Sequence, residues 1–388
     1  MMRRPALVMA LLGSGLIAVT YGLARFAFGL FLPAIREDMA ISPELAGVIG
    51  SLPFASFVVA ILLAPGLLRV VGAKLGGVAA IVLAMLGLFA ISYASSPWVL
   101  ALGVAVCGLA TGLSTPALAA AVHWVVPRNQ RGRVNATVNA GTSIGVALSA
   151  PAVVMFVDAW RPAYLGFAIL AVVGVLAAAH YLPAHAKPPQ DNPRGSGPTR
   201  QQWADMTRLS SLAAATGFVS ALYWVFAPDF AVQYGGLAAR DSAWMWLAVG
   251  LGGVAGGAAG DLIAKHGPAS SHAFATAAMS AALTLLAADP GQLVLALFSA
   301  TAFGAAYMTL TGLYLIGGTE IMSDYPALGS VMPFLAVAGG QVLGSSVGGW
   351  MIAQVGHSTA FGSFSALGLS VALLSLWLTR AGQAVTEA

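Results

Sequence analysis

Two charges of opposite sign lie deep inside apolar sequence. Arg25 stands in "YGLARFAFGLFLP", residues 21–33, and every other residue from Pro5 to Ile35 is uncharged. Asp229 stands in "WVFAPDFAVQY" and is the only acid well inside a long apolar run. A guanidinium presents a rigid fork of donors that suits carboxylate or phosphate. A carboxyl shielded from water can hold a proton and release it when exposed. The chemistry on offer is therefore anion binding by Arg25 and proton coupling or gating by Asp229. Three fates are open to Arg25: contact with an anionic solute, a salt bridge to Asp229 at a similar depth, or snorkelling to an interface. Ten uncharged residues follow it, which makes the last route long.

Uncharged polar side chains recur at one-face spacing near these two. Tyr21 stands one helical turn before Arg25, and Tyr307, Thr311 and Tyr314 form a three-four repeat. Asn135, Asn139 and Ser143 form another, as do Thr111 with Thr115 and Gln341 with Ser345. Tyr223 and Trp224 add a phenol and an indole before Asp229. The expected pocket is Arg25 with Tyr21, Asn139, Tyr223, Trp224, Tyr307, Thr311 and Gln341. The alternative for any of these is an interhelical hydrogen bond with no solute contact. Pro228 is expected to break the helix just before Asp229.

These residues need helices that cross a bilayer. Of 388 residues, 59% are hydrophobic and only 8% are charged, where a soluble domain carries about 25% charged residues. The runs do not alternate with period two, which excludes membrane strands. A spanning helix needs about 20 apolar residues. Twelve segments fit: 7–34, 44–67, 75–95, 98–124, 134–157, 163–183, 209–234, 242–264, 270–288, 291–317, 328–353 and 359–379. The fold class is an all-α membrane protein.

Lys and Arg assign the sides. The N-terminus and the loops on its side hold Arg3, Arg4, Arg69, Lys74, Arg128, Arg131, Arg133, Lys187, Arg194, Arg200, Arg208, Lys265 and Arg380. The other side holds only Arg36, Arg161 and Arg240. Both termini are thus expected in the cytoplasm. Tryptophan favours the membrane interface. Trp98, Trp160, Trp244, Trp246 and Trp350 fall near outer ends, Trp124, Trp203 and Trp377 near inner ends, and Trp224 alone falls in mid-span. Residues 184–208 are polar and rich in Pro and Gly, as a cytoplasmic linker would be. They divide the chain into a six-helix bundle at 1–183 and another at 209–388. The halves echo each other weakly, with Tyr21 over Tyr223.

This 6+6 pattern resembles the major facilitator superfamily. That family's loop signature, Gly-x-x-x-Asp-Arg-x-Gly-basic-basic, survives in part in "APGLLRVVGAK", where Arg69, Gly72 and Lys74 remain and Leu68 replaces the acid. "GAAGDLIAKHG" keeps Gly257 and Asp261 at their spacing. "YGLARFAFGLFLPAIREDM" further resembles the YbfB/YjiJ-like bacterial branch. The resemblance implies two pseudo-symmetric bundles that rock about a mid-membrane site lined by spans 1, 4, 7 and 10. It also implies packing of spans 5 on 8 and 2 on 11 across the halves. Gly141 and Gly145, Gly252, Gly256 and Gly260, and Gly340, Gly344 and Gly348 repeat every fourth residue, which permits close helix approach. They are expected to smooth that junction.

The expected protein is a secondary active transporter of a small organic solute, an anion because Arg25 is a fixed cation, in the bacterial inner membrane. Protons are the candidate coupling partner through Asp229. Efflux of drugs or lipophilic metabolites is the alternative, and a non-transporting receptor or channel is the alternative of another class. No enzyme constellation is legible: the lysines lie in loops, which excludes a retinal pump, and no phosphate loop exists. The single cysteine, Cys107, cannot form an internal disulfide, and no zinc or haem spacing occurs, so no cofactor is expected. The expected partners are the solute and the lipid bilayer, with no nucleic acid, for a monomer.

Overall fold

The computed structural model describes residues 4–156, 159–184 and 197–386, with side chains through residue 376. Arg3, Lys187, Arg194 and the other residues of 185–196 in the expected linker lie outside the described residues, as do the side chains of Trp377 and Arg380. Backbone groups in hydrocarbon find no water, so every crossing must satisfy its own hydrogen bonds, and a helix does so. Among the described residues, eleven helices are long and apolar enough to cross a bilayer, and one of them, Pro43–Ser92, has 50 residues. It holds a non-helical residue, Gly72, at φ 79° and ψ 170°. That conformation is essentially restricted to glycine, so Gly72 is where one span ends and the next begins.

Twelve spans result. They are α1 (Arg4–Met39), α2 (43–71), α3 (73–92), α4 (Pro97–Val125), α5 (Arg128–Met155) and α6 (Trp160–Tyr181) in the first half. The second half holds α7 (Arg200–Tyr234), α8 (Ala239–His266), α9 (Pro268–Ala288), α10 (Leu293–Ile321), α11 (Pro326–Val355) and α12 (His357–Thr386). Proline stands in the first turn of α2, α4, α9 and α11, where its missing N–H removes nothing. Gly267 separates α8 from α9 at φ 78° and ψ 162°, the same turn that Gly72 makes between α2 and α3. The two halves thus repeat a backbone device as well as a helix count. α7 starts nine residues before its expected limit because Thr199 and Gln202 form a capping box there. That first turn is polar, and hydropathy does not see it.

The halves meet along α2 with α11, α5 with α8, and α1 with α7. The spaced glycines do not make this junction. A Cβ on Gly141 or Gly145 would strike the Ser14 or Ala18 carbonyl of α1, inside the first half. One on Gly340 or Gly344 would strike the Ala214 or Phe218 carbonyl of α7, and one on Gly252 the Thr301 carbonyl of α10. These rows bind each half internally, contrary to the expectation. Across the halves the close approaches include Gly47 to Gly349, Gly250 to Ser143 and Ala147, and Gly29 to the Trp224 carbonyl. Two expected interfacial tryptophans are also interior: Trp160 and Trp246 are fully buried, whereas Trp98, Trp124, Trp203, Trp244 and Trp350 are exposed.

Arg69, Arg131 and Lys265 mark one end of the bundle, called here the basic end. The cross-half glycine contacts lie in the middle and toward the opposite end. The α5 stripe that packs on α8 at Ser143 and Ala147 continues to Asn139 and Asn135, both of which are exposed. Gly257, on the same stretch of α8, has nothing near its Cβ position. The two halves therefore close at the far end and part toward the basic end.

Candidate functional site

Arg25 sits at the level where the halves meet. Residues Ala18–Phe26 of α1 are π-helical. Such widened turns cluster at functional positions, and this one carries both Tyr21 and Arg25. The guanidinium is 6% exposed. Its carbon lies 4.7 Å from the ring centres of Phe54 and Phe57 on α2, 5.3 Å from Phe26 and 5.5 Å from Tyr21. One hydrogen bond leaves this cage: Nη2 donates to Oε1 of Gln341 on α11, at 3.2 Å. Gln341 in turn donates through Nε2 to the Tyr307 hydroxyl, also at 3.2 Å. A chain from Arg25 through Gln341 to Tyr307 thus joins the halves. Nε of Arg25 is buried without a partner, and among the described residues no carboxylate pairs with the guanidinium.

Trp224 completes the cluster from α7. Its indole stacks on Phe26 at 4.1 Å and 26° and stands edge-on to Tyr307 at 5.2 Å. Its Nε1 is buried and unpartnered. Tyr21 is half-buried, and its hydroxyl shares a 2.8 Å hydrogen bond with Thr115 of α4. Of the expected pocket, then, Arg25, Tyr21, Trp224, Tyr307 and Gln341 converge.

The remaining three do not. The Tyr223 hydroxyl bonds to Ser299 at 2.8 Å and its ring stacks on Phe303 at 4.0 Å, so it belongs to the interior of the second half. Thr311 turns its hydroxyl back onto the Met308 carbonyl. Asn139 is exposed on α5 toward the basic end and does not bond to Arg25. A groove of about 520 Å³ is apolar and is lined by Phe218, Gly339, Leu343 and Leu367 rather than by Arg25.

Asp229 is elsewhere, and its partner is not Arg25. It is fully buried, and Oδ2 pairs with Nη1 of Arg36 on α1 and lies 3.2 Å from Nε2 of His357 on α12. Oδ1 has no partner. The expected break at Pro228 is absent: α7 stays helical through Asp229 and then widens into a π-helical turn, Phe230–Tyr234. Trp224 stands level with Phe26, so Asp229, five residues on, lies further toward the far end than Arg25. Arg36 was assigned to an outer loop because it follows the apolar run. It is in α1, which extends to Met39, and its side chain is only 19% exposed. It stands 11 residues from Arg25, about three helical turns, and that shared stripe was a legible signal. His357 opens α12 and stacks on Phe230 at 5.2 Å.

In the loop motif, Arg69 is exposed and bonds through Nε to the Pro65 carbonyl. Gly72 supplies the turn already described, and Lys74 is half-buried in the first turn of α3. Gly257 lies in a 3₁₀ stretch of α8, and Asp261 is exposed in the turn that follows. These residues flank the two equivalent turns at the basic end.

Comparison with known proteins fits this architecture. No curated protein matches the sequence. Among solved structures, the nucleoside transporter NupG is similar with TM-score 0.75 and 14% identity, over 97% of this chain and 100% of that one. A bacterial homologue of the human lysosomal transporter Spinster, in an inward-facing and occupied conformation, is similar with TM-score 0.73 and 17% identity, over 97% and 98%. The family model described as Major Facilitator Superfamily matches residues 14–323. The chain is a multi-pass membrane protein that belongs to the major facilitator superfamily, and as such a transporter rather than an enzyme.

Proposed function

We propose that this protein is a secondary active transporter of a small organic anion, working by alternating access in the bacterial inner membrane. The basic end is the cytoplasmic end and carries both termini, with residues 184–208 as the cytoplasmic linker between the bundles of 1–183 and 209–388. One observation carries the anion reading: a buried guanidinium between the halves has a single neutral acceptor and an idle Nε. Burying arginine in a span costs at least about 2.5–3.5 kcal/mol, and a counter-charge that comes and goes with transport would justify its place.

Arg25 binds the anion, with Gln341, Tyr307, Trp224 and Tyr21 around it. Arg36, Asp229 and His357 form the gate that holds the periplasmic side shut, and Asp229 is the coupling group. It is the fully buried carboxylate at the junction of the halves on that side. Protons are the proposed coupling ion and the monomer the working unit. Efflux of lipophilic compounds is the second reading, supported by the four rings around Arg25.

Thermal stabilisation of the purified protein against carboxylates, sulfonates and lipophilic cations distinguishes the two. Organic anions should raise the melting temperature of the native chain and not that of Arg25→Met. Stabilisation by lipophilic cations, with no response to any anion, would reverse the assignment.

A further inference from the structure

The site around Arg25 is specific in what it lacks. It has one uncompensated cation, because Arg36 is already neutralised by Asp229. Its walls are π-faces: Phe54 and Phe57 approach the guanidinium from α2, and Phe26 lies between it and the Trp224 indole. Its free hydrogen-bonding groups are few and mostly donors, with Arg25 Nε and Trp224 Nε1 both buried and unpartnered. A dianion would leave one charge unmet in a low-dielectric site. A polyhydroxylated acid would bring hydroxyls that find rings instead of partners.

We propose that the substrate is a planar aromatic monoanion, with one carboxylate or sulfonate on an aromatic body. The proposal rests on the anion reading of Arg25 and narrows it. The Gln341 amide marks where the acid group goes. Its Oε1 is a planar sp² acceptor on Nη2, the position one carboxylate oxygen takes in a two-pronged pair with arginine. The second oxygen falls to the idle Nε. The aromatic body slots among Phe54, Phe57 and Phe26, where edge-to-face or offset contacts favour a ring over a saturated body of the same volume. Trp224 Nε1 serves a ring substituent that carries an acceptor.

This exchange also releases the link between the halves. Once the acid occupies the fork, Gln341 loses its bond to Arg25 and keeps only the one to Tyr307, within its own half. Binding therefore cuts the hydrogen bond that ties α1 to α11 at the substrate level, and the halves become free to part there. Substrate then acts on the conformational equilibrium through a named bond.

Calorimetric titration of the full chain in detergent, with benzoate and cyclohexanecarboxylate as probes, tests the inference. The two acids carry the same charge on bodies of similar size. Benzoate should bind roughly three- to tenfold more tightly, and Phe57→Leu should narrow that ratio by weakening benzoate more than cyclohexanecarboxylate. Succinate should bind more weakly than either. Equal affinities for the two ring acids would overturn the aromatic assignment and leave the anion reading standing. Stronger binding of succinate would overturn the monoanion assignment. Failure of all three acids would remove both this inference and the anion reading beneath it.

Discussion

Arg36 of α1 and Asp229 of α7 form an ion pair across the junction of the two halves, with His357 of α12 on the same carboxylate oxygen. The pair lies beyond Gly29 and Trp224, where the α1 and α7 backbones already touch. A fully buried carboxylate held by a cation from the opposite half ties the two halves together at that end, and it is lost when they separate.

Breaking such a pair by removing one partner costs about 3–5 kcal/mol. Here the loss falls on the conformation closed at the Arg36 end. Asp229→Asn and Arg36→Gln should each shift the protein toward the state open at that end. Ser345 lies beneath this closure, with its carbonyl against Gly47. In a Cys107→Ala background, Ser345→Cys should react with a membrane-impermeant thiol reagent at least about tenfold faster once Asp229→Asn is added, since 1.4 kcal/mol is a factor of ten. An unchanged rate would mean the pair does not govern closure.

A steric wedge should produce the same phenotype by another route. A Cβ on Gly250 would lie 2.7 Å from the Ala147 backbone nitrogen of the other half. Gly250→Leu should therefore prevent closure at that level, raise Ser345→Cys labelling and abolish transport. Gly257→Leu, at a position with open space around it, should leave labelling near the native rate. Equal labelling in the two variants would show that contact at Gly250 is not needed for closure.

Gln341 offers a change that improves stability and removes function. Gln341→Glu places a carboxylate on the Arg25 fork in almost the same volume. The buried cation gains a permanent partner, and charge-assisted hydrogen bonds are roughly twice as strong as neutral ones. The variant should melt at a higher temperature and bind no organic anion. Gln341→Leu should instead lose about 1–3 kcal/mol, because Arg25 is left with no acceptor. Scanning calorimetry and titration read both outcomes, and undiminished anion binding by Gln341→Glu would contradict the role given to Arg25.

Tyr223→Phe should leave transport close to native. Its hydroxyl serves Ser299, and Ser299 retains the Ala282 carbonyl as acceptor. A loss of about 0.5–1.5 kcal/mol in stability is expected. A large loss of substrate affinity would return Tyr223 to the binding site.

The helix count was legible because hydropathy and chain reversal are local properties. Arg25, Tyr21, Trp224, Tyr307 and Gln341 could be singled out as polar or outsized residues in runs that otherwise exclude them. Their partners could not. Phe26, Phe54 and Phe57 are ordinary in an apolar helix, and only the π-helical turn around Arg25 turns the guanidinium among them. The partner of Asp229 was not legible for a related reason. Depth was judged from a weak internal repeat, whereas the side-by-side register of α1 and α7 is set by where their backbones can touch, at Gly29 and Trp224. The glycine rows were recognised as packing faces, but spacing alone does not say which neighbour a face meets. Tyr223 and Trp224 are adjacent in sequence and point into different surroundings, one to Ser299 and the other to Phe26.

The most direct test of the central claim is counterflow in proteoliposomes, using the organic anion that binds most tightly and comparing the native chain with Arg25→Met. The methionine keeps bulk among the rings and removes the charge. The native protein should exchange labelled for unlabelled anion, and Arg25→Met should remain folded and exchange none. Native-like exchange by Arg25→Met would contradict the account, because the buried guanidinium would then have no part in carrying the anion.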